Sequence, residues 1–251
     1  MSEFYIGYLL KAPDGIRRRN RMVVVALLCV AAACAFLFAE SQRTFSASAF
    51  EFGSPKAFEG VVEEFPYPTL IVRRPGAASP DLSFSRYLLV ATGKHSARSE
   101  VAGLNGQGVQ FSGQLIYREN LTMIEIVPGS LAKSSGTEAY EKTLVSLGQF
   151  DLSGEIVDTK CYFGVMNPGQ GKVHRDCAVR CISGGIPSAL VTRDLDGTQS
   201  LLLLTNLKGE ALAAPEFMDR VGQPVRIHGD VFKSGETHYL QTQRSWISAL
   251  P

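Results

Sequence analysis

The ten residues from Gly106 to Leu115, GQGVQFSGQL, have a counterpart near the end of the chain in GQPVRIHGDV, from Gly222 to Val231. Both stretches fit the pattern G-Q-x-V-x-h-x-G-x-h, in which h is an apolar residue. A further strand-like run follows each of them, TMIEIV in one copy and HYLQTQ in the other. Alternating apolar residues are typical of a β-strand with one buried face. The pattern therefore predicts two copies of one β-rich unit.

Earlier segments extend the repeat in the same order. FEGVV (Phe58–Val62) is echoed by LSGEIV (Leu152–Val157), and YLLV (Tyr87–Val90) is echoed by LLLL (Leu201–Leu204). A short helix is predicted before each G-Q motif, in ARSEVAGL and in PEFMDRV. Strands, a short helix and two closing strands are the order of the OB-fold, a five-stranded Greek-key barrel. We therefore predict a mainly β protein with two tandem OB-like small barrels; SH3-like barrels or a split sandwich are the alternatives.

The two copies differ in length. Gly60 to Gly113 spans 53 residues, whereas Gly154 to Gly229 spans 75. The additional residues follow the first strand of the second copy, within GEIVDTKCYFGVMNPGQGKVHRDCAVRCISGGIP, which ends at Pro187. No packing role for them is evident from the sequence. The second barrel is therefore predicted to carry a Cys/His-bearing loop–helix insertion.

Four residues of this insertion have the spacing of metal ligands. Cys161, His174, Cys177 and Cys181 follow C-x12-H-x2-C-x3-C. A helix through VHRDCAVRCI places the last three within about 60° of arc, on one face, and Cys161 reaches that face from a loop. Because sulfur and imidazole nitrogen bind zinc and copper, we predict one such ion on these four residues. Met166 would be a soft axial ligand for copper, although methionine is more often a packing residue.

The state of the thiols decides between a metal site and its alternatives. The cations that flank the cysteines in sequence are Lys160, Arg175 and Arg180. Nearby cations lower the pKa of a thiol and so favour the metal-binding thiolate. In an oxidising compartment, Cys161 can instead form a disulfide with Cys177 or Cys181 and leave one thiol over. Such a disulfide could also pin a loop that has no chemistry of its own.

An apolar run near the N-terminus predicts the compartment. Met22–Ala39 reads MVVVALLCVAAACAFLFA, 18 residues without a charge, and IRRRNR precedes it. This length is about the minimum for one membrane crossing. The positive-inside rule then predicts that residues 1–21 are cytoplasmic and that the chain from Glu40 onward lies in a bacterial periplasm. A cleaved signal peptide is the alternative, because Ala47–Ala49 fits a cleavage site; the length of the run favours an uncleaved anchor.

These patterns predict a complete domain organisation. It consists of a cytoplasmic segment (1–21), a transmembrane helix (22–39), a linker (40–55), a first OB-like barrel (56–130), a connecting segment (131–150), and a second OB-like barrel (151–251) with its insertion at 160–186. Within the connecting segment, Thr137 is predicted to be the N-cap of a helix through EAYEKTLVSLG.

The cysteine segment resembles part of a known group of proteins. It is similar to a segment of uncharacterised single-span bacterial membrane proteins with the pattern KC-x2-G-x-M-x-PG-x-G-x2-H-x2-CA-x2-C-x-GG-x-P, and the opening FYIGYL accompanies it. The resemblance covers about 35 of the 251 residues and carries no established activity. It implies a bacterial periplasmic setting and indicates that the segment is one unit.

Composition and motifs exclude several classes of function. The net charge of +1 indicates no nucleic-acid partner, and neither a phosphate-binding loop nor a dinucleotide-binding motif is present. His95, His228 and His238 are interpreted as surface or packing residues, and a thiol oxidoreductase would normally show CxxC. The sequence therefore favours a non-enzymatic function.

The function that we predict is a membrane-anchored periplasmic subunit. It would hold a Cys/His metal or redox site beside a membrane protein partner, for example in an electron-transfer complex. Its transmembrane helix and N-terminal segment would contact that partner within the lipid bilayer. A non-catalytic tether or adaptor with a disulfide-pinned loop is one alternative, and a metal-delivery protein is another.

Overall fold

The computed structural model describes residues 12–43, 48–76, 83–135, 142–193 and 199–250. The chain divides into two units, Met1–Ser46 and Ala47–Pro251. The first unit contains a single described helix, and the second contains the strands. The two units are described separately below.

Helix α1 (Asp14–Arg43) is long and apolar. Asp14 lies in its first turn, where a carboxylate interacts favourably with the helix dipole, and it accepts a hydrogen bond from Arg17 Nη2 at 2.6 Å. An 18-residue window within Asp14–Ser41 has a mean hydropathy of 2.9, and none of it is buried. The predicted span, Met22–Ala39, lies entirely inside α1. By length and composition the helix could cross a membrane as a signal anchor, or it could be a signal sequence.

The first barrel is closed by five strands. Its strands and their flanking pieces are β1 (Ser48–Phe50), β2 (Lys56–Glu63), β3 (Thr69–Arg73), β4 (Phe84–Val90), β5 (Gly108–Arg118), β6 (Leu121–Ile126) and β7 (Ala132–Lys133). The order is β2-β3-β4-β6-β5, and β5 pairs with β2 to complete the circle. All pairs are antiparallel except β4 with β6, which is parallel. This is the strand order of the OB-fold.

The second barrel repeats this arrangement. Its strands are β8 (Val145–Asp158), β9 (Ser188–Arg193), β10 (Gln199–Thr205), β11 (Pro224–Ser234), β12 (Thr237–Gln241) and the flanking β13 (Ile247–Ala249). The closed order is β8-β9-β10-β12-β11, and the parallel pair is β10 with β12. The prediction of two tandem OB-like barrels is confirmed.

The register of the strands shows that the repeat is structural. Gly60 on β2 lies opposite Val109 on β5, and Gly154 on β8 lies opposite Val225 on β11. The two valines occupy the same place in the G-Q-x-V motif. A Cβ atom at Gly60 would lie 2.4 Å from the carbonyl oxygen of Ile71, and a Cβ atom at Gly154 would be similarly close to a backbone oxygen of β9. Both positions therefore require glycine because a neighbouring strand approaches so closely.

Some local predictions were wrong. The first copy has turns and a bend over residues 97–103 where a helix was predicted, whereas the region predicted as a short helix in the second copy has two short 3₁₀ helices, Ala214–Glu216 and Met218–Arg220. The counterpart of YLLV starts one residue later than predicted. Val90 and Thr205 occupy equivalent places in the two parallel strand pairs, so YLLV corresponds to the four residues that end at Thr205. Isolated propensity is a weak guide where tertiary packing decides the backbone path.

The two connections between domains also differ from prediction. Residues 142–144 are not helical and β8 already begins at Val145, so the predicted connecting helix is wrong over this part; Thr137 lies outside the described residues. The predicted linker contains β1, which pairs with the end of β5. Val145 pairs with Lys233 on β11, so the start of β8 extends the antiparallel pairing of these two strands. This pairing explains why the predicted connecting helix is replaced by a strand from Val145 onward.

The insertion occupies the connection between β8 and β9. This connection comprises residues 159–187, whereas its counterpart in the first barrel comprises residues 64–68. It contains a wide helical turn (Cys161–Val165), a 3₁₀ turn (Lys172–His174) and helix α2 (Arg175–Ser183).

The insertion packs in two directions. Ala178 and Ile182 of α2 belong to the core of the second barrel. Cys161 and Cys181 belong to a separate apolar cluster that we call the seam, because it combines buried residues of both barrels. Members of the seam include Tyr67, Leu88 and Met123 from the first barrel, Val191 and Leu203 from the second, and Tyr162 and Phe163 from the insertion. The insertion therefore has a packing role that the sequence did not show.

Candidate metal centre

The end of β8 fixes the position of Cys161. Asp158 is the last residue of that strand, and its Oδ1 accepts a hydrogen bond from the backbone N–H of Cys161 at 2.8 Å. The backbone N–H of Thr159 donates to the carbonyl oxygen of Pro187 at 3.0 Å and so ties the two ends of the insertion together. The wide turn that starts at Cys161 is thereby anchored to the rigid barrel.

Helix α2 and the turn before it position the other three predicted ligands. The loop before the turn is held by Glu155, whose Oε1 accepts a hydrogen bond from Gly171 N–H at 2.5 Å. Burial raises the pKa of this carboxyl group. His174 ends the 3₁₀ turn, and Cys177 and Cys181 follow one helical turn apart on α2. Cys177 and Cys181 therefore have the predicted helical spacing, whereas His174 lies in the 3₁₀ turn that precedes α2.

The three sulfur atoms of the insertion lie together. Cys161 Sγ is 3.9 Å from Cys177 Sγ and 3.9 Å from Cys181 Sγ, and all three lie within 4.8 Å of one another. A tetrahedral ion with sulfur ligands at ~2.3 Å would separate those sulfurs by about 3.8 Å. Cys161 is 3% exposed and Cys181 is 1% exposed, while Cys177 is half-buried. The trio therefore has the spacing and the shielding that a metal ion needs.

His174 belongs to a second trio that shares Cys161. Its Nε2 lies 3.0 Å from Asp158 Oδ2, and ligand atoms of Asp158, Cys161 and His174 lie within 4.8 Å of one another. Both Asp158 and His174 are buried. A carboxylate that holds one ring nitrogen is the usual companion of a metal-binding histidine. Binding of a single ion by all four predicted residues stays a prediction.

Sequence reasoning missed Asp158. Its only signal was a carboxylate three residues before the first cysteine, at the end of a strand and next to a histidine-containing insertion. Acidic residues are common at strand ends, so this signal was weak by itself. The hydrogen bonds of Asp158 to Cys161 and His174 give it a defined place in the site.

The cation that contacts the sulfurs comes from the first barrel. Lys94 Nζ donates hydrogen bonds to Cys177 Sγ at 2.8 Å and to Cys181 Sγ at 3.3 Å. The three cations that flank the cysteines in sequence were expected in this role, but the sulfur contacts among the described residues do not include them. Lys160 donates hydrogen bonds to the carbonyl oxygens of Ala91 and Gly93. The guanidinium group of Arg175 donates to the carbonyl oxygen of Asp219, and Arg180 is exposed.

These contacts separate the proton affinities of the buried thiols. The hydrogen bond from Cys161 lowers the pKa of Cys181 to about 7 against the effect of burial, and Lys94 adds to the lowering. The same hydrogen bond, together with burial and the charge of Asp158, raises the pKa of Cys161. The hydrogen bond to Cys177 raises the pKa of Lys94, so that its ammonium form is favoured. Without a metal, these opposite shifts favour Cys181 over Cys161 as the thiol that loses its proton first.

Two further expectations concern Met166 and the disulfide. The Met166 side chain is 45% exposed, which makes it a poor axial ligand for a buried ion. All five cysteines are free thiols, including Cys29 and Cys34 on α1, and the described structure contains no disulfide. The arrangement of the insertion is thus a group of three thiols with an adjoining His–Asp pair.

Comparison of the chain with protein-family models, with curated proteins and with solved structures finds no match. Any assignment of function therefore depends on the chemistry of the residues themselves. A buried Cys/His/Asp group of this kind could hold a metal ion.

Proposed function

We propose that the chain is a membrane-anchored protein of the bacterial periplasm whose insertion binds one metal ion beside a membrane partner. The observation that carries the proposal is the trio of Cys161, Cys177 and Cys181 sulfurs within 4.8 Å of one another. The ligands are these three thiolates and His174. Zinc is the first candidate, because a mixed sulfur and nitrogen set in tetrahedral geometry is its common structural site.

The surroundings of the sulfurs support metal binding over simple packing. Ligation requires deprotonated thiols, and Cys181 has a pKa of about 7. Asp158 orients His174 in the manner of a carboxylate behind a metal-binding imidazole. A cysteine used only for packing would not need a neighbouring ammonium group, nor the histidine and carboxylate beside it, whose burial costs free energy.

The anchor and the partner are part of the proposal. Helix α1 is long enough to cross a bilayer, the arginine run before it favours a cytoplasmic N-terminus, and the resemblance to single-span bacterial membrane proteins agrees with this topology. A reporter enzyme that works only in the periplasm, fused after Pro251, should be active. Activity only from a cytoplasmic reporter would contradict the topology and leave the metal site untouched.

The metal proposal is tested on the full-length chain in detergent, purified without reductant and equilibrated with zinc. We expect one equivalent of bound zinc and its loss on Cys161→Ser, because Cys161 belongs to both trios. Cys29→Ser and Cys34→Ser are matched controls, since these cysteines lie on α1, and both variants should keep the metal. Absence of metal from a folded wild-type chain would overturn the proposal.

A dithiol redox centre is the second candidate function. Cys161 Sγ is 3.9 Å from Cys181 Sγ, and Cys181 has the thiolate character that exchange with a disulfide requires. Oxidation of this pair would form one S–S bond and pass two electrons and two protons to a partner's disulfide. A metal-free chain with a single free thiol in the insertion would favour this function over the metal site.

A further inference from the structure

Lys94 is a residue of the first barrel whose side chain contacts two sulfurs of the insertion. It lies in the connection between β4 and β5, and its ammonium group reaches Cys177 at 2.8 Å and Cys181 at 3.3 Å. The ammonium group of Lys94 therefore donates to two of the three sulfurs of the insertion.

The backbone around Lys94 is docked on the insertion. A Cβ atom at Gly184 would lie 1.7 Å from the carbonyl oxygen of Lys94, so the two backbone segments are in contact at a place where only glycine fits. The N–H of Ser96 donates to the carbonyl oxygen of Gly184 at 3.0 Å. From the other side, Lys160 Nζ donates to the carbonyl oxygen of Gly93 at 2.6 Å. These contacts set the position of the Lys94 side chain before any ion binds.

We propose that Lys94 is a positioning residue of the metal centre, which keeps its hydrogen bonds to Cys177 and Cys181 when the ion is bound. This inference rests on the proposed function. A metal-bound thiolate retains lone pairs that can accept N–H···S hydrogen bonds. Three thiolates exceed the charge of a divalent ion by one, and the ammonium group offsets that excess in a buried site where uncompensated charge is costly.

The consequence is that the first barrel is part of the metal centre. Sulfur ligands come from the second barrel, and the charge that stabilises them comes from the first. Metal affinity should therefore depend on a residue that is 83 positions away from Cys177 in sequence. The rival arrangement, in which Lys94 holds the place of the ion and leaves when it binds, predicts the opposite effect of removing the charge.

The test measures zinc affinity of the full-length chain in detergent by competition with a chelating dye. Lys94→Met should raise the Kd for zinc about 10- to 100-fold, the usual effect of losing a partner of a metal ligand. Lys94→Arg should restore part of the affinity. Lys56→Met is the matched control, because Lys56 is a lysine of the same barrel whose ammonium pairs with Glu51 at the surface, and it should leave the Kd unchanged.

Cobalt loading supplies a readout that a loss of stability alone would not change. The sulfur-to-cobalt charge-transfer band should shift in Lys94→Met and return toward the wild-type position in Lys94→Arg, because the hydrogen bonds act on the sulfur lone pairs. Should Lys94→Met not fold, Lys94→Gln, which keeps a donor without the charge, should show weakened binding.

Each outcome has a definite meaning. Zinc binding by Lys94→Met that is equal to or tighter than that of the wild type, with an unshifted cobalt band, would overturn the inference and leave the metal site in place. A wild-type chain that binds neither zinc nor cobalt would overturn the proposed function itself. Weakened binding and a shifted band in the Lys94 variants, with Lys56→Met unchanged, support the inference.

Discussion

The two barrels have the same strand order and equivalent strand registers, and their largest difference lies in one connection. Between β2 and β3 the first barrel has residues 64–68, and between β8 and β9 the second barrel has residues 159–187. The closely packed glycines, Gly60 and Gly154, are at equivalent places in both. The comparison teaches that the shared residues build the scaffold, and that the candidate chemistry lies in what the second copy adds.

The comparison also shows that the plainer barrel contributes to the site. Lys94 contacts two of the sulfurs, Glu125 on β6 forms a buried ion pair with Lys160, and Tyr67 donates a hydrogen bond to Leu204 on β10. Each of these contacts crosses the boundary between the barrels. Through Lys94 and Glu125 the first barrel therefore supplies charged partners to the insertion of the second barrel, and through Tyr67 it bonds to the second barrel itself.

The largest effect is expected from breaking the buried ion pair that joins the insertion to the first barrel. Lys160 and Glu125 have side chains that are 3% and 5% exposed. Lys160→Met should lower the free energy of unfolding by about 3–5 kcal/mol, because it leaves the Glu125 carboxylate buried without its partner. Thermal unfolding of the full-length chain, followed by circular dichroism, measures this.

The double variant Lys160→Met/Glu125→Met should recover much of the loss, since it removes both buried charges together. Glu236→Gln is the control, because Glu236 pairs with Arg74 across the barrels at an exposed position, and this change should cost under about 1 kcal/mol. Similar costs for Lys160→Met and Glu236→Gln would show that the buried pair does not join the barrels.

A pair of glycine substitutions sharpens the equivalence of the two barrels. A Cβ atom would lie 2.4 Å from a backbone oxygen at Gly60 and 2.1 Å from one at Gly154. Gly60→Ala and Gly154→Ala should each lower the free energy of unfolding by about 1–3 kcal/mol through overpacking. Gln110→Ala, at an exposed position of β5, should change it by no more than about 0.5 kcal/mol. A large cost at one glycine with none at the other would contradict their equivalence.

The smallest effect concerns Tyr67 and alkaline pH. Burial raises the pKa of Tyr67 to about 12, whereas an unfolded tyrosine has a pKa near ~10. The stabilisation that depends on its protonated form is complete below pH ~10, and it is lost as the pH rises through about 12, because the unfolded chain ionises first. Unfolding free energies measured from pH 8 to 11 should therefore fall less steeply for Tyr67→Phe than for the wild type.

At neutral pH Tyr67→Phe should lower the free energy of unfolding by about 0.5–1.5 kcal/mol, the net contribution of one hydrogen bond. The bond concerned joins the Tyr67 hydroxyl to the carbonyl oxygen of Leu204 at 2.6 Å. Identical pH slopes for Tyr67→Phe and the wild type would mean that Tyr67 is not buried between the barrels.

Features that depend on local pattern were readable from the sequence. The G-Q-x-V repeat predicted two barrels because alternation along a strand sets which face is buried. The apolar run predicted a helix of membrane-crossing length because hydropathy and length are properties of consecutive residues. The short helix of the first copy and the described part of the connecting helix were wrong because weak helix propensities yielded to tertiary contacts, as in the pairing of Val145 with Lys233.

The sequence alone determined which thiols share a helix face, since Cys177 and Cys181 are one turn apart whatever surrounds them. Only the tertiary structure decided that Lys94 and Asp158 contact the cysteine cluster. It also decided that Lys160 forms its ion pair with Glu125 and does not contact a sulfur. Charges interact through space, and Lys94 and Glu125 reach the insertion only because two separately closed barrels pack against it. No periodicity within either barrel encodes that packing, which arises from the apolar side chains of the seam.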